Sequence, residues 1–494
     1  MSFDDILNNL PEVTGPEQRR LSFKEKLKWT GIVLGIFFIL GMIPLFGLGD
    51  NALSQFEMLS LILGAEFGSI ISLGIGPLVT ASIVLQLLNG SGIIKFDLTT
   101  HEGKKRFQGT QKLLSIFFIL FEGCIYVYMG GLSPQGYVGI VTKGMPIYSL
   151  LQIILVFQLF LGGLMIMFMD EVVSKWGFGS GISLFIAAGV SKQIFIRAFS
   201  WLPSPNNPNI VTGAIPALFQ SLSIGDPQTA VLMIASVVAT ILVFAMAVYG
   251  QAMKVEIPLS FGRIRGHGIR WPLSFIYTSN IPVILIAALL ANIQLWARLL
   301  QGATDSCRAA ITSGGTCGIA RGILMHISNF FGTYVGNVPD QGLVAWIHSP
   351  DVVRQILTGA ITFNPSSWAP LAHSFVYILI MIGGSIMFSI FWVQTAGMDA
   401  RSQAKQIMAS GLQIPGFRRD ERVLERLLNR YIWPLTIMGA IAVGFMAAVA
   451  DVTGALSRGT GILLTVMIVY RLYEDIAKKH MMDMNPMMRK FMEQ

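Results

Sequence analysis

About ten stretches of roughly 20 apolar residues, separated by short polar segments, run from Trp29 to Tyr470. A hydrocarbon core about 30 Å thick takes roughly 20 residues at 1.5 Å each, and inside it a single segment satisfies its backbone polar groups only as a helix. The pattern predicts spans over about 28–48, 70–90, 111–130, 147–169, 180–199, 229–250, 274–297, 370–393, 432–450 and 457–474. The stretch 201–228, with Pro203, Pro205, Pro208, Pro216 and Pro227, divides them five and five. Two halves of odd count cross the membrane in opposite senses, which makes an inverted repeat with a pathway expected where the halves meet. That symmetry rests on the span count, since no residue-level repeat carries it.

Two features interrupt the regular pattern. Ser54 to Phe67, set off by Gly47, Gly49 and Gly68, is apolar but too short to cross. Read alone, it is either a re-entrant helix or an amphipathic loop on the outer surface. Next, Gly74, Gly76 and Pro77 stand at the head of the second span, where they break the start of the helix.

Composition fits a membrane bundle: 53% hydrophobic, 13% charged and 51 glycines, which membrane helices use for close packing. The net charge of +8 matters through its placement. Of 35 Lys and Arg residues, 27 fall before span one, after span ten and in the even-to-odd loops, and 8 fall on the other side. The positive-inside rule therefore makes both termini cytoplasmic. No cleavable signal is expected, because residues 1–25 mix acids and bases rather than leading into a short apolar core. The most basic loops are Lys254 to Arg270, with Arg263 and Arg265, and the segment around Pro415 to Arg430, with Arg418 and Arg419. They serve orientation and lipid headgroups, and their arginine density also suits a large anionic partner such as ribosomal RNA. Cys124 lies in the third span, whereas Cys307 and Cys317 fall outside, where a disulfide is permitted but not required.

The spans offer little chemistry. Pumps and ion-coupled transporters need ionisable groups at mid-membrane, and the pattern puts only Glu122 clearly within a span. No phosphate-cradling GxxxxGK[ST] loop, helical HExxH or credible Ser/His/Asp set is present, so neither an enzyme nor a cofactor is expected. The rival class, a secondary solute transporter on an inverted repeat, is disfavoured by the same scarcity of charge.

Gly74-Ile75-Gly76-Pro77 with Val79-Thr80-Ala81, followed by Gln86-Leu87-Leu88 and Gly90-Ser91-Gly92, resembles the SecY family, the central subunit of the protein-conducting translocon. Phe23 to Thr30, Gln111-Lys112-Leu113, Asp170 to Lys175 leading into Gly179-Ser180-Gly181 and Ile182 to Ala187, Ser279 to Pro282, and Gly459 to Leu464 point the same way in order along the chain. The style is that of archaeal and eukaryotic members.

The resemblance implies an all-α polytopic fold: ten helices in two inverted five-helix halves around a central pore, with a short plug helix. Its divisions are a cytoplasmic segment 1–27, a first half 28–200 with the plug at 54–67, an external linker 201–228, a second half 229–474 with an external loop 298–370, and a cytoplasmic tail 475–494. The implied waist is Ile75, Val79, Ile182, Ile186, Ile284 and Leu464. The implied plug includes Ser54, Phe56, Leu59, Leu61, Ile62 and Phe67, and the implied gate polar residues are Thr80, Glu122 and Asn292. Arg263, Arg265 and Arg418 correspond to ribosome-docking positions. Such a channel passes unfolded secretory polypeptides and releases apolar segments sideways into lipid. Its expected partners are a SecE-type clasping subunit, a small Sec-beta or SecG-type subunit, the translating ribosome, signal-bearing nascent chains and lipids, at the plasma membrane. Aliphatic side chains suit the waist, because they offer ions no substitute for hydration and a passing chain nothing to hold. The segment 298–370 exceeds the usual family loop; Thr312 to Thr316 within it, with Gly314 and Gly315, suggests flexibility.

Overall fold

The computed structural model describes residues 9–17, 21–51, 65–90, 93–94, 96, 100–134, 146–204, 207–261, 268–278, 280–312, 319–335, 338–359, 368–409, 412–413 and 420–484. The first half contains α1 (Phe23–Met42), α2 (Gly76–Gly90), α3 (His101–Tyr128), α4 (Pro146–Trp176) and α5 (Gly181–Phe199). A linker with α6 (Ala214–Ile224) leads to the second half, α7 (Pro227–Ala252), α8 (Ile281–Thr312), α12 (Ala369–Thr395), α14 (Glu421–Val452) and α15 (Gly459–Met484). Between α8 and α12 lie α9 (Ile319–Phe331), α10 (Leu343–Ile347) and α11 (Val352–Leu357), and α13 (Ala400–Ala409) follows α12.

Seven helical stretches among the described residues are long and apolar enough to cross a membrane. The other three expected crossings are special cases. The first turns of α1 carry Lys24, Glu25, Lys26 and Lys28, α2 has only 15 residues, and α15 ends in a charged segment. Burial follows the logic of lipid. On α7, Ile241, Leu242 and Phe244 are exposed and apolar, whereas Val283 to Ala288 of α8 are all buried. An apolar helix with one face open is lipid-facing; one buried all round is central.

Local signals explain the ends. Ser22 and Glu25 form a reciprocal capping box at α1, and Asp226 accepts from the amides of Gln228 and Thr229 ahead of Pro227. Helix α2 begins at Gly76 rather than at 70. Residues 71–75 are turns, Gly74 has φ +57°, and Pro77 sits in the first turn, where its missing N–H costs nothing. The span expected over 274–297 starts at Ile281 and continues to Thr312, so Arg298 belongs to a helix and not to a loop. The segment 298–370 is not simply a long loop: it contains the end of α8, α9, a hairpin of β3 (Thr333–Val335) and β4 (Val338–Gln341), α10 and α11. The linker 201–228 likewise holds α6, stopped by Gly225 at φ +82°. The tail begins inside a helix, since α15 runs to Met484.

The two halves touch along α2 against α8 and α12, and along α5 against α15. On the basic side, β1 (Lys254–Phe261) pairs with β2 (Gly268–Ser274) from Lys254↔Ser274 to Ser260↔Gly268. Strand β5 (Leu412–Gln413) adds to β1 through Ser260↔Gln413 and Phe261↔Leu412. The two most arginine-rich loops are thereby joined in one sheet.

Candidate functional site: a central aliphatic cluster with a polar link

The backbone places the six aliphatic residues from four helices and one turn. Ile75 closes the glycine-containing turn before α2, and Val79 follows one helical turn later, its amide donating to the carbonyl of Ile75 at 3.0 Å. The start of α5 is set by Asp170, whose Oδ1 accepts from the amide of Ile182 at 3.0 Å. A Cβ at Gly181 would fall 2.8 Å from that oxygen, which accounts for the glycine there. Ile182 and Ile186 follow on α5, Ile284 lies on α8 and Leu464 on α15.

Ile75, Val79, Ile186, Ile284 and Leu464 are buried in one contiguous apolar cluster, and half-buried Ile182 packs against it. The helices around them approach closely. A Cβ at Gly461 would touch Val190 at 3.2 Å, and one at Gly384 would meet Ile286 at 2.4 Å.

Beside the cluster, three polar residues 42 and 212 positions apart form one chain. Asn292 Nδ2 of α8 donates to Thr80 Oγ1 of α2 at 3.0 Å. The Thr80 hydroxyl lies 3.0 Å from Glu122 Oε1 of α3 and 2.9 Å from the carbonyl of Gly76. All three side chains are buried. The arrangement is a buried hydrogen-bond link between the two halves, placed where α2 and α8 touch.

Of the plug positions only Phe67 is described, and it packs on two apolar clusters. Ser54, Phe56, Leu59, Leu61 and Ile62 lie outside the described residues, as do Arg263, Arg265, Arg418 and Cys317. Glu122 is not the sole ionisable group within a helical span. Asp451 in α14 is buried, its Oδ2 accepting from the hydroxyls of Tyr377 (2.5 Å) and Thr460 and its Oδ1 from the amide of Thr460 at 2.7 Å. Asp170 lies in α4, and Lys192 and Arg197 lie in α5, Lys192 meeting Glu66 at 2.6 Å. The signal for Asp451 was present as the acid closing the ninth apolar run, one residue past its expected end.

The segment between α8 and α12 is fastened to α8. Tyr334 donates its hydroxyl to the Gln294 carbonyl at 2.9 Å and its amide to Gln301 Oε1 at 2.7 Å, while Gln294 Nε2 donates to the Ile347 carbonyl at 3.3 Å. Burial, assisted by nearby Arg458, lowers the pKa of His348 to about 4, and burial raises that of Asp351. On the opposite side, Lys254 Nζ bonds Glu474 at 2.8 Å, which raises the lysine pKa and ties the sheet to α15.

The SecY family profile matches residues 69–473. The chain belongs to the SecY family. Protein translocase subunit SecY of Methanothermobacter thermautotrophicus is 42% identical over 494 residues, 99% of this chain and 98% of the relative. A solved structure described as that of a protein conducting channel superposes with a TM-score of 0.77 at 40% identity, covering 98% of this chain and 99% of that one. Sec61 in the canine ribosome–channel complex from the endoplasmic reticulum gives a TM-score of 0.74 at 39% identity, covering 98% and 99%. This SecY-family chain is accordingly a polytopic membrane protein and a protein-conducting translocation channel.

Proposed function

We propose that Ile75, Val79, Ile182, Ile186, Ile284 and Leu464 form the constriction of this channel, and that Thr80, Glu122 and Asn292 hold its lateral gate shut at the contact of α2 and α8. The observation that supports this reading is the convergence of these aliphatic residues, drawn from both halves, on one apolar cluster beside a buried polar chain joining the halves. A closed aliphatic ring excludes ions by dewetting, and it yields to a polypeptide because it makes no directional bonds with it. Parting α2 from α8 would open a path from the ring to lipid, which suits release of apolar segments. The channel performs no chemistry of its own, and the driving force comes from the partner that feeds the chain.

In this reading residues 54–67 plug the outer side, and the joined basic loops with Arg263, Arg265 and Arg418 dock the ribosome. A SecE-type subunit clasps the halves, and a small Sec-beta or SecG-type subunit completes the complex in the plasma membrane with both termini cytoplasmic. The test is ion conductance of the reconstituted protein in planar bilayers. Replacing two or more ring residues by Gly or Ser should leak, and deleting 54–67 should add to the leak. Ile→Ser at Ile36 and Ile39, both exposed on α1, should not leak. If the ring variants conduct no more than these controls, the six residues are core packing only.

A further inference from the structure

A charged pair stands where a membrane protein tolerates charge only for a reason. Lys192 Nζ lies 2.6 Å from Glu66 Oε1, and each side chain is about two-fifths exposed, at 43% and 41%. Lys192 is six residues beyond Ile186 on α5, about 9 Å farther from the basic sheet along the helix axis. With the constriction near mid-membrane, this depth is still within the roughly 15 Å half-thickness of the hydrocarbon. Half-exposed charges at such a depth face water rather than lipid, so the pair lines a hydrated vestibule on the outer side.

Glu66 is held in place before Lys192 reaches it. Its carbonyl accepts from Ser69 Oγ at 2.7 Å, and its Cγ would lie 3.1 Å from a Cβ at Gly41 of α1. The following turn is fixed at both edges. Leu45 N donates to the Gly68 carbonyl at 2.9 Å, Ile70 N donates to the Ile43 carbonyl at 3.0 Å, and a Cβ at Gly162 of α4 would overlap the Ile70 carbonyl oxygen at 2.0 Å. The same segment runs on into Ile75 and Val79, and the helix bearing Lys192 carries Ile182 and Ile186. The ion pair thus bonds the two elements that together supply four of the six aliphatic residues.

We infer that Lys192 and Glu66 are positioning residues: a latch on the outer side that ties the end of the segment 54–67, and with it the approach to α2, to the α5 wall of the constriction at rest. This rests on the constriction reading above. Resting conductance in planar bilayers of the full-length protein, purified with the subunits that accompany it, tests it. Lys192→Glu and Glu66→Lys should each raise conductance about two- to fivefold, the scale of a partly exposed ion pair, and the double reversal should return it to the wild-type level. Lys192→Gln, which introduces no like charge, should give a smaller rise in the same direction, so the latch remains testable where a reversal fails to fold. Wild-type conductance, divided by the conductivity of the bathing solution, should also rise with salt as the pair is screened. The latch is overturned if the single variants conduct as wild type, or if the double reversal leaks like the singles. Loss of thermal stability restored in the double variant without any change in conductance would make the pair a fold tether, and would overturn it as well. An Ile186→Ser with Ile284→Ser variant recorded alongside separates the two readings: a leak there with silent Lys192 and Glu66 variants overturns the latch alone, whereas silence there refutes the constriction and the latch with it.

Discussion

Replacing Asn292 by Asp keeps the shape of a buried side chain and removes the one donor that links α8 to Thr80 at 3.0 Å. The introduced carboxyl also stands next to the Thr80 hydroxyl that already serves Glu122. To stay in the closed contact at pH 7 it must be neutral, and holding a carboxyl of ordinary pKa about 3.9 protonated there costs about 1.36 kcal/mol per unit, or ~4 kcal/mol. With the gate parted, the carboxylate is hydrated and that cost disappears. The substitution should therefore favour the open gate by up to about 10³ in equilibrium constant at pH 7. The penalty falls by roughly 2.7 kcal/mol, about 100-fold, between pH 7 and pH 5. Asn292→Leu provides the control. It loses a hydrogen bond worth about 0.6–1.7 kcal/mol in a membrane bundle, adds apolar contact and has no charge, so it should leak little and without pH dependence. The assay is conductance in planar bilayers from pH 7.5 to 5, with matched amounts of folded protein. Asn292→Asp should leak at pH 7 and reseal toward pH 5. If it tracks Asn292→Leu at every pH, the polar chain does not hold the gate.

Two further outcomes follow from the surfaces on either side. Reversing Arg263, Arg265 and Arg418 to Glu should cut ribosome association steeply in a sedimentation assay, with a shallower salt dependence than wild type, because phosphate contacts release counterions; unchanged binding with failed insertion would make them orientation signals only. In the segment between α8 and α12, His348 is held neutral with a pKa near 4 by burial and by Arg458. The unfolded segment takes up a proton at about pH 6.5 and the docked one does not, so docking is strongest above 6.5 and weakens as pH falls toward 4, by at most ~3 kcal/mol. The raised pKa of Asp351 works in the opposite sense. The difference between wild type and His348→Gln therefore isolates the histidine, read as loss of amide protection across 343–357 in hydrogen exchange; equal acid sensitivity in both would refute it.

How far the chain could be read follows from what lipid does to sequence patterns. Apolar runs of spanning length are imposed by the bilayer, so most helices were legible within a few residues. Past the membrane that rule lapses: the extension of α8 to Thr312 is polar in part and is held by buried Gln301 and Thr304 and by Tyr334 packing from outside, which no apolar count foresees. The acid Asp451 was missed for a related reason, since its partners Tyr377 and Thr460 stand 74 and 9 residues away and only the fold brings them to it.

Side-chain type carries unequal information in such a protein. An isoleucine fits lipid, core or pore equally well: Ile36 is exposed on α1, Ile186 is fully buried, and both sit in unremarkable apolar runs. Nothing in their own neighbourhood tells them apart, and the six constriction positions were picked by family resemblance alone. A polar residue in a span has no such freedom, because burial without a partner costs free energy and exposure to lipid costs more. Thr80, Glu122 and Asn292 had to find one another or find water, and they are joined. Lys192, by the same reasoning, had to face a counter-ion and water, and Glu66 meets it at the depth where the helix should already be in hydrocarbon. Polar residues within spans therefore carry more positional information than the aliphatic residues packed around them.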